Sequence, residues 1–308
     1  IKISFMKKNT LTIGTRGSKL ALIYAEKVKK ELNKFFPNEI KLKKILTTGD
    51  QKQDQRLSDI GGKGLFAEQI EKELLNEDID IAVHALKDMP TIETESLLTN
   101  NFLKRNSPNE ILISKNNTKF EDLKPDSVIG TSSFRREFQL KKKRSDLKYK
   151  LIRGNVDTRI QKLENGEFDA ILLSKAGVDS LKLQNKITQE FSVDELIPCA
   201  GQGIIAIQCK KNDSDIIDLL EKINDIESRI VANAEREVLK VLEGDCDTAV
   251  GVFAKITGEN VDLVTELFSV DGKMRYFIRE TVKKDKIETA SRMIGEKLKL
   301  QSKGSYKN

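Results

Sequence analysis

Residues 11–32 read LTIGTRGSKLALIYAEKVKKEL. Leu11–Ile13 is a short apolar strand, and Gly14-Thr15-Arg16-Gly17 breaks it. From Ser18 onward Ala21, Ala25, Val28 and Leu32 recur at helical spacing, with Ser18 placed to cap. A strand, a glycine-containing turn that carries a hydroxyl and an arginine, and a capped helix make one unit of an α/β protein.

Outward from this unit the alternation continues. Lys41–Leu46 is a strand, residues 48–64 a polar glycine-rich loop, and Leu65–Leu75 a helix with Phe66, Ile70 and Leu74 on one face. Asp78–His84 alternates Ile79, Ile81 and Val83 as a strand and runs into Ala85-Leu86-Lys87-Asp88-Met89-Pro90. The alternation predicts a largely parallel sheet. The pattern then restarts with strands at Ile111–Ser114, Ser127–Ile129, Tyr149–Ile152 and Phe168–Leu173, and helices at Phe134–Lys142 and Val156–Glu164. Ile204–Cys209 is a further strand, followed by helices near Asp215–Ile223 and Glu227–Leu242. The last part differs in kind. Val250–Ile256, Val261–Val270 and Lys273–Thr281 are strands joined at Thr257-Gly258 and Asp271-Gly272, and a helix covers Ile287–Leu300, making a small antiparallel α+β unit.

A chain of 308 residues with 38% hydrophobic and 33% charged residues suits two or three domains with a charged surface. Its longest apolar runs, Ala170–Leu173 and Ile204–Ile207, are strand-sized, which argues against a membrane span. The residues before Leu11 do not read as a secretory signal, and either Ile1 or Met6 is the natural start. Three cysteines, Cys199, Cys209 and Cys246, match neither a zinc site nor a disulfide framework, so a reducing, cytoplasmic setting is expected and no metal. The formal net charge of +6 suits an anionic ligand, a nucleic acid or a membrane surface.

Chemistry concentrates at strand ends. Gly14-Thr15-Arg16-Gly17-Ser18 and Gly130-Thr131-Ser132-Ser133 place hydroxyls at helix N-termini, where they serve either as ordinary caps or as anion sites. Arg16, Arg135, Arg136, Arg153 and Arg159 sit at strand-to-helix turns. Each alone reads as a surface arginine, but as a set they suit one cleft for a polycarboxylate or phosphate. Lys87-Asp88 follows a buried strand directly, so Asp88 either stabilises a cation and shuttles protons or forms a loop salt bridge. His84, the single histidine, reads as a core residue, which argues against a Ser/His or Cys/His hydrolase. Gly61-Gly62-Lys63-Gly64 lacks the spacing of a phosphate loop. Cys246, in the polar loop Leu242-Glu243-Gly244-Asp245-Cys246, is a plausible covalent attachment point, whereas Cys199 and Cys209 read as structural thiols.

Taken together, TRGSKLAL (15–22), TTGD (47–50), GGKGLF (61–66), DIAVHALKDMP (80–90), GTSSFRR (130–136), RGNVDTR (153–159), AGQG (200–203) and LEGDC (242–246) resemble the porphobilinogen deaminases (hydroxymethylbilane synthases) along nearly the full chain. The resemblance implies an α/β fold. Two periplasmic-binding-protein-like α/β domains are joined by a small C-terminal α+β domain with a three-stranded antiparallel sheet. The expected boundaries are 1–104 with 200–224, then 105–199, then 225–308. It also implies a transferase of tetrapyrrole and heme biosynthesis, cytoplasmic and monomeric, that joins four porphobilinogen molecules with loss of ammonia. The growing chain is carried on a dipyrromethane cofactor in thioether linkage to Cys246, and water then releases hydroxymethylbilane. By the same resemblance Asp88 and Lys87 are catalytic. Cys246, Ser18, Lys63, Lys87, Asp88, Thr131, Ser132, Ser133, Arg135, Arg136, Arg153, Gly154 and Arg159 hold the cofactor. Arg16, Ser18, Arg153, Arg159 and Gln202 take the substrate.

The chain departs from the family pattern in places. Ser180 stands where an arginine is common, leaving that carboxylate contact missing or supplied by Lys175 or Lys182. Ser107-Pro108-Asn109-Glu110 replaces an Asp-Pro-Arg-Asp run, Ala85 a serine and Tyr24 a glutamine, and Asp247-Thr248-Ala249 also differ. Two rival readings compete with this one. A non-enzymatic solute-binding protein needs neither Cys246 nor Asp88. A nucleic-acid binder fits poorly with 6% aromatic residues and arginines at strand ends.

Overall fold

The computed structural model describes residues 8–47, 64–244 and 247–307. In chain order the elements are β1 (Thr10–Arg16), α1 (Lys19–Leu32), β2 (Glu39–Ile45), α2 (Gly64–Leu75), β3 (Ile81–Ala85), β4 (Leu97–Phe102), β5 (Glu110–Ser114) and β6 (Val128–Gly130). There follow α3 (Phe134–Lys141), β7 (Lys148–Lys150), α4 (Val156–Glu164), β8 (Ala170–Ser174), α5 (Lys175–Ser180), β9 (Gln189–Phe191) and β10 (Ile205–Lys210). The chain ends with α6 (Ser214–Glu221), α7 (Ile226–Leu242), β11 (Val250–Thr257), β12 (Asn260–Phe268), β13 (Arg275–Lys283) and α8 (Ile287–Ser302). Among the described residues no helix is long and apolar enough to cross a membrane.

Two five-stranded sheets form two lobes, in the orders β2-β1-β3-β10-β4 and β7-β6-β8-β5-β9. Both are mixed rather than largely parallel. In each, four strands point one way and one runs against them: β10 between β3 and β4 in the first lobe, β5 between β8 and β9 in the second. The antiparallel strand is the one next to a crossing between lobes. β5 is the first strand after the chain leaves lobe one, and β10 the first after it returns, so each arrives from the opposite side. The strands β4 and β9 and the short helix α5 were not expected from the sequence, because Leu97–Phe102 is interrupted by Asn100 and Asn101 and the other two are short.

Burial explains the apolar runs. On β8, Ala170 and Leu172 join one core with Phe120 and Leu140, while Ile171 and Leu173 join the opposite core with Ile160 and Val178. Both faces of the sheet are covered, so the strand reads as continuous hydrophobe rather than alternation. Each buried leucine or isoleucine among them contributes roughly 1.5–3 kcal/mol. Lobe one is built likewise. Leu11, Ile13 and Val83 pack against α1 and α6, and Ala82 packs with Ile70 and Leu74 of α2. Strand β1 extends three residues beyond the expected break, pairing with β2 as far as Arg16↔Ile45. Gly14 is needed within it, since a Cβ there would meet Ile45 Cδ1 at 2.9 Å as well as the Ile79 side chain.

The C-terminal unit is an antiparallel sheet, β11-β12-β13, covered by α7 and α8. Its core is continuous with the first lobe, running from Leu86, Phe102 and Ile204 through Ala232 and Val238 to Val252 and Leu263. The β12–β13 connection is longer than the tight turn expected at Asp271-Gly272: pairing stops at Phe268 and resumes at Arg275. The loop instead docks on lobe two, with Gly272 against the Phe138 ring and Phe268 in a small core with Phe138 and Ala249.

The two crossings between lobes meet at one buried ion pair. Arg105, on the outgoing crossing, donates to Glu235 of α7 at 2.6 and 3.3 Å and to the Gln202 carbonyl, on the returning crossing, at 3.0 Å. Glu235 also accepts from the backbone N–H of Gly201 at 2.7 Å and of Ala254 in β11 at 2.8 Å. Gly203 adopts φ +81°, and a Cβ there would lie 2.7 Å from the carbonyls of Asn106 and Ser107, so the crossings approach this closely only with glycine. Glu235→Ala leaves the Arg105 charge buried and unpaired. It should lower the unfolding free energy by about 3–5 kcal/mol, whereas the joint apolar replacement Arg105→Met with Glu235→Leu should lose markedly less. Urea unfolding of the two variants beside the parent chain checks this.

Candidate active site

The parallel strands of both lobes point their carboxyl ends into one cleft of about 550 Å³. Arg16 is the last residue of β1, and Ser18 caps α1, its hydroxyl accepting from the Ala21 N–H at 3.3 Å. Lys87 and Asp88 lie on the helical turn that follows β3. From lobe two come Ser132, Ser133, Arg135 and Arg136 after β6, and Arg153, Gly154 and Arg159 around the start of α4. Gln202 arrives on the returning crossing, and Asp247 and Thr248 from the segment before β11.

Most of the expected site residues therefore share a single cavity. Thr131 does not line it. That side chain is buried and accepts from the Ser133 N–H at 3.2 Å, shaping the turn that presents Ser133. Lys63 and Cys246 lie outside the described residues, as does the expected loop over 48–64 apart from Gly64, which opens α2. Ser18 and Ser133 act as caps, Ser133 accepting from Arg136 N–H at 3.4 Å, and both also line the cleft. Neither Lys175 nor Lys182 lines it in place of the family arginine. Lys175 is held by Asp179 at 2.8 Å, and the Ser180 hydroxyl accepts from Lys27 at 3.4 Å.

Two wall residues went unnoticed in sequence. Phe66, read as a core position of α2, lies under Arg16, whose guanidinium sits 3.8 Å from the ring centroid. Cys199, read as a structural thiol, lines the cleft. Cys209 does behave as one: it is fully buried in β10, and burial, with Asp213 nearby, pushes the thiol up to about 12.

The arginines fall into two groups. Arg135 and Arg136 each donate to one oxygen of Glu110 at 2.6 Å, and Arg135 also donates to the Ile197 carbonyl at 2.8 Å. Glu110 is fully buried. Burial alone would raise its carboxyl, but Arg136 and Arg135 outweigh that and hold it down at about 2. Arg159 has no carboxylate within salt-bridge distance among the described residues. Its Nε donates to the Gly154 carbonyl at 2.8 Å, and burial together with repulsion from Arg136 and Arg153 lowers it to about 10. The cleft is thus overcharged with cation, and Asp88 is the acidic group that opposes it at Arg159.

Two lobes with an arginine-rich cleft between their strand ends, closed by a third unit, define a protein built to hold a molecule bearing several carboxylates. Comparison with known sequences identifies which. Residues 11–218 match the family profile described as porphobilinogen deaminase, dipyromethane cofactor binding domain, and residues 230–301 match the porphobilinogen deaminase C-terminal domain. The chain is 42% identical over 267 residues to the porphobilinogen deaminase of Chlorobaculum tepidum, covering 86% of each chain. It is 40% identical over 276 residues to that of Bacillus subtilis, covering 89% of this chain and 87% of the relative. Among solved structures, substrate binding domain 2 of Lactococcus lactis GlnP aligns with a TM-score of 0.44 at 16% identity, covering 76% of this chain and 94% of that one. The chain belongs to the porphobilinogen deaminase family.

The residues present fit the dipyrromethane cofactor for which the family domain is named. Arg136 Nε is buried without a hydrogen-bond partner among the described residues, and Arg159 is held down by burial and by repulsion from Arg136 and Arg153. A carboxylate-bearing guest relieves both.

The Glu110 shift has a stability consequence. Its folded pKa is lowered from 4.5 to about 2, so the stabilisation is complete above the unfolded value and is lost as pH falls toward the folded one. Thermal unfolding followed from neutral pH downward should show the parent chain more stable than Glu110→Gln at pH 6. That advantage should shrink through the window from about 4.5 to about 2.

Proposed function

We propose that the chain joins four porphobilinogen molecules head to tail, releasing ammonia at each step, and frees hydroxymethylbilane by hydrolysis. It is then a transferase, cytoplasmic and monomeric. The observation that carries this reading is the placing of one carboxylate, Asp88, in a cleft whose arginines outnumber its acids. When bound, through a thioether to Cys246, the dipyrromethane supplies the electron-rich pyrrole carbon to which substrate is joined.

The residues divide the work by charge. Asp88 accepts from pyrrole N–H groups and faces the positive charge that develops on the ring as ammonia leaves, and it takes up the proton released when the rings join. Lys87, beside it, adds a donor. Arg16, Arg153 and Arg159 bind the acetate and propionate groups of incoming substrate by charge-assisted hydrogen bonds, with Ser18 and Gln202 beside them. Arg16 is steadied for this by the Phe66 ring. Arg135 and Arg136, braced by Glu110, hold the cofactor's carboxylates with Lys63, Ser132, Ser133 and Gly154, and Thr131 contributes through the turn it shapes. Three domains follow, 1–104 with 200–224, 105–199 and 225–308; the place of β10 between β3 and β4 supports the discontinuous first one.

Intact-protein mass spectrometry tests the reading. The parent chain should carry the added mass of two linked pyrroles on Cys246 and grow by single pyrrole units when porphobilinogen is supplied. Cys246→Ala should carry none. Asp88→Ala should remain folded, load poorly or not at all, and lose about 10²–10⁴-fold in rate. Full activity in Asp88→Ala would remove the proposed chemistry.

A further inference from the structure

A second, much smaller cavity of about 50 Å³ adjoins the cleft. It shares Arg16, Ser18, Phe66 and Asp88 with the main cavity, and its far wall is Tyr24, Ala21 and His84. About 10–15 Å³ of such space holds one water. This cavity therefore takes a few water-sized molecules and excludes a pyrrole ring. Asp88, the group before which the C–N bond of the substrate breaks in the reading above, lines both cavities.

The wall is rich in acceptors, and a hydrogen-bond chain settles the state of one of them. Thr94 donates to Glu71 at 2.7 Å, and Gln208 Nε2 donates to the other oxygen of Glu71 at 2.9 Å. The Gln208 amide is thereby oriented with Oε1 toward His84 Nε2, 3.3 Å away. Nε2 must carry the proton, which leaves Nδ1 with a free lone pair. No described residue bonds to Nδ1. Burial lowers the imidazole to about 4, so it stays neutral and accepting throughout the working range. Tyr24 behaves likewise: burial and then Asp88 push its phenol up to about 12, which keeps it a neutral hydroxyl.

We propose that this side cavity is the leaving-group subsite: it receives the ammonia expelled from porphobilinogen and holds it off the cleft while the new carbon–carbon bond forms. The inference rests on the deaminase reading. The step balances as follows. The C–N bond of the protonated aminomethyl group breaks, both electrons depart with nitrogen, and ammonia emerges neutral. The positive charge remains on the pyrrole ring, facing Asp88. Ammonia has three donors for the Asp88 carboxylate, the Tyr24 oxygen and His84 Nδ1. It then passes to solvent and takes up a proton there.

The test uses the loaded enzyme and measures initial rates of porphobilinogen consumption in ammonium chloride against sodium chloride, at matched pH and ionic strength. Ammonium should inhibit the parent chain beyond the salt effect. Ala21→Val, which fills the cavity, and Tyr24→Phe, which keeps its shape but removes an acceptor, should each weaken that inhibition about tenfold, as loss of one such contact implies. Both should lower kcat by a larger factor than they raise KM for porphobilinogen, because neither Ala21 nor Tyr24 is among the residues that take the substrate carboxylates. Absence of ammonium inhibition in the parent chain, or equal inhibition in parent and variants, overturns the proposal while leaving the deaminase reading intact. Variants that keep full sensitivity to ammonium and slow only release of finished product also overturn it, assigning the cavity to the hydrolytic water. A parent chain that consumes no porphobilinogen even after loading fails at the deaminase reading itself.

Discussion

The architecture depends on a single buried ion pair, Arg105 with Glu235. Its geometry is multidentate: two guanidinium nitrogens, two backbone N–H groups and one carbonyl converge on it from the outgoing crossing, the returning crossing, α7 and β11. Such a pair adds little net stability against an apolar substitute. What it provides is registry, because removing either partner leaves a largely buried charge unpaired. Both lobes are thus fixed to the C-terminal unit at the base of the cleft, and the loop of that unit touches lobe two again at Phe138.

A second balance of charge governs the cleft. Glu110 neutralises Arg135 and Arg136 where they leave the first turn of α3, which lets two arginines lie side by side at almost no exposure. Among the described residues no acid pairs with Arg159 as Glu110 does with its arginines; Arg136 and Arg153 repel it and Asp88 opposes them from a distance. A cleft in that condition is incomplete as a structure and complete as a binding site: the missing negative charge belongs to the guest. The same arithmetic suits a product that gains carboxylates with every unit added.

Some departures from the family pattern acquire a physical sense. With serine at 180, the surface of α5 becomes small enough for α1 to reach it, and Lys27 donates to that hydroxyl across the two lobes while Lys19 pairs with Asp157 of α4 at 2.9 Å. Glu110, in place of the shorter aspartate, reaches both α3 arginines with one oxygen each. The structure offers no account of Ala85 in place of serine.

The sequence alone determined the local elements, because they rest on short-range physics. Ser18 before a 3.6-residue apolar period makes a capped helix wherever it lies, and β8 between two cores must be apolar throughout. For the strand-end arginines, Asp88 and the cleft hydroxyls, spacing left ordinary alternatives open, a surface arginine, a loop salt bridge or a helix cap, and it was the resemblance to a known family that singled them out. Pairing partners were another matter. That β10 inserts antiparallel between β3 and β4 depends on contacts more than a hundred residues apart, and no local period encodes them. Nor could spacing separate the two arginines braced by Glu110 from the other three, or place Phe66 beneath Arg16, or Cys199 in the wall. Those assignments follow from which side chains the assembled lobes bring within a few ångströms, and only the tertiary structure sets that.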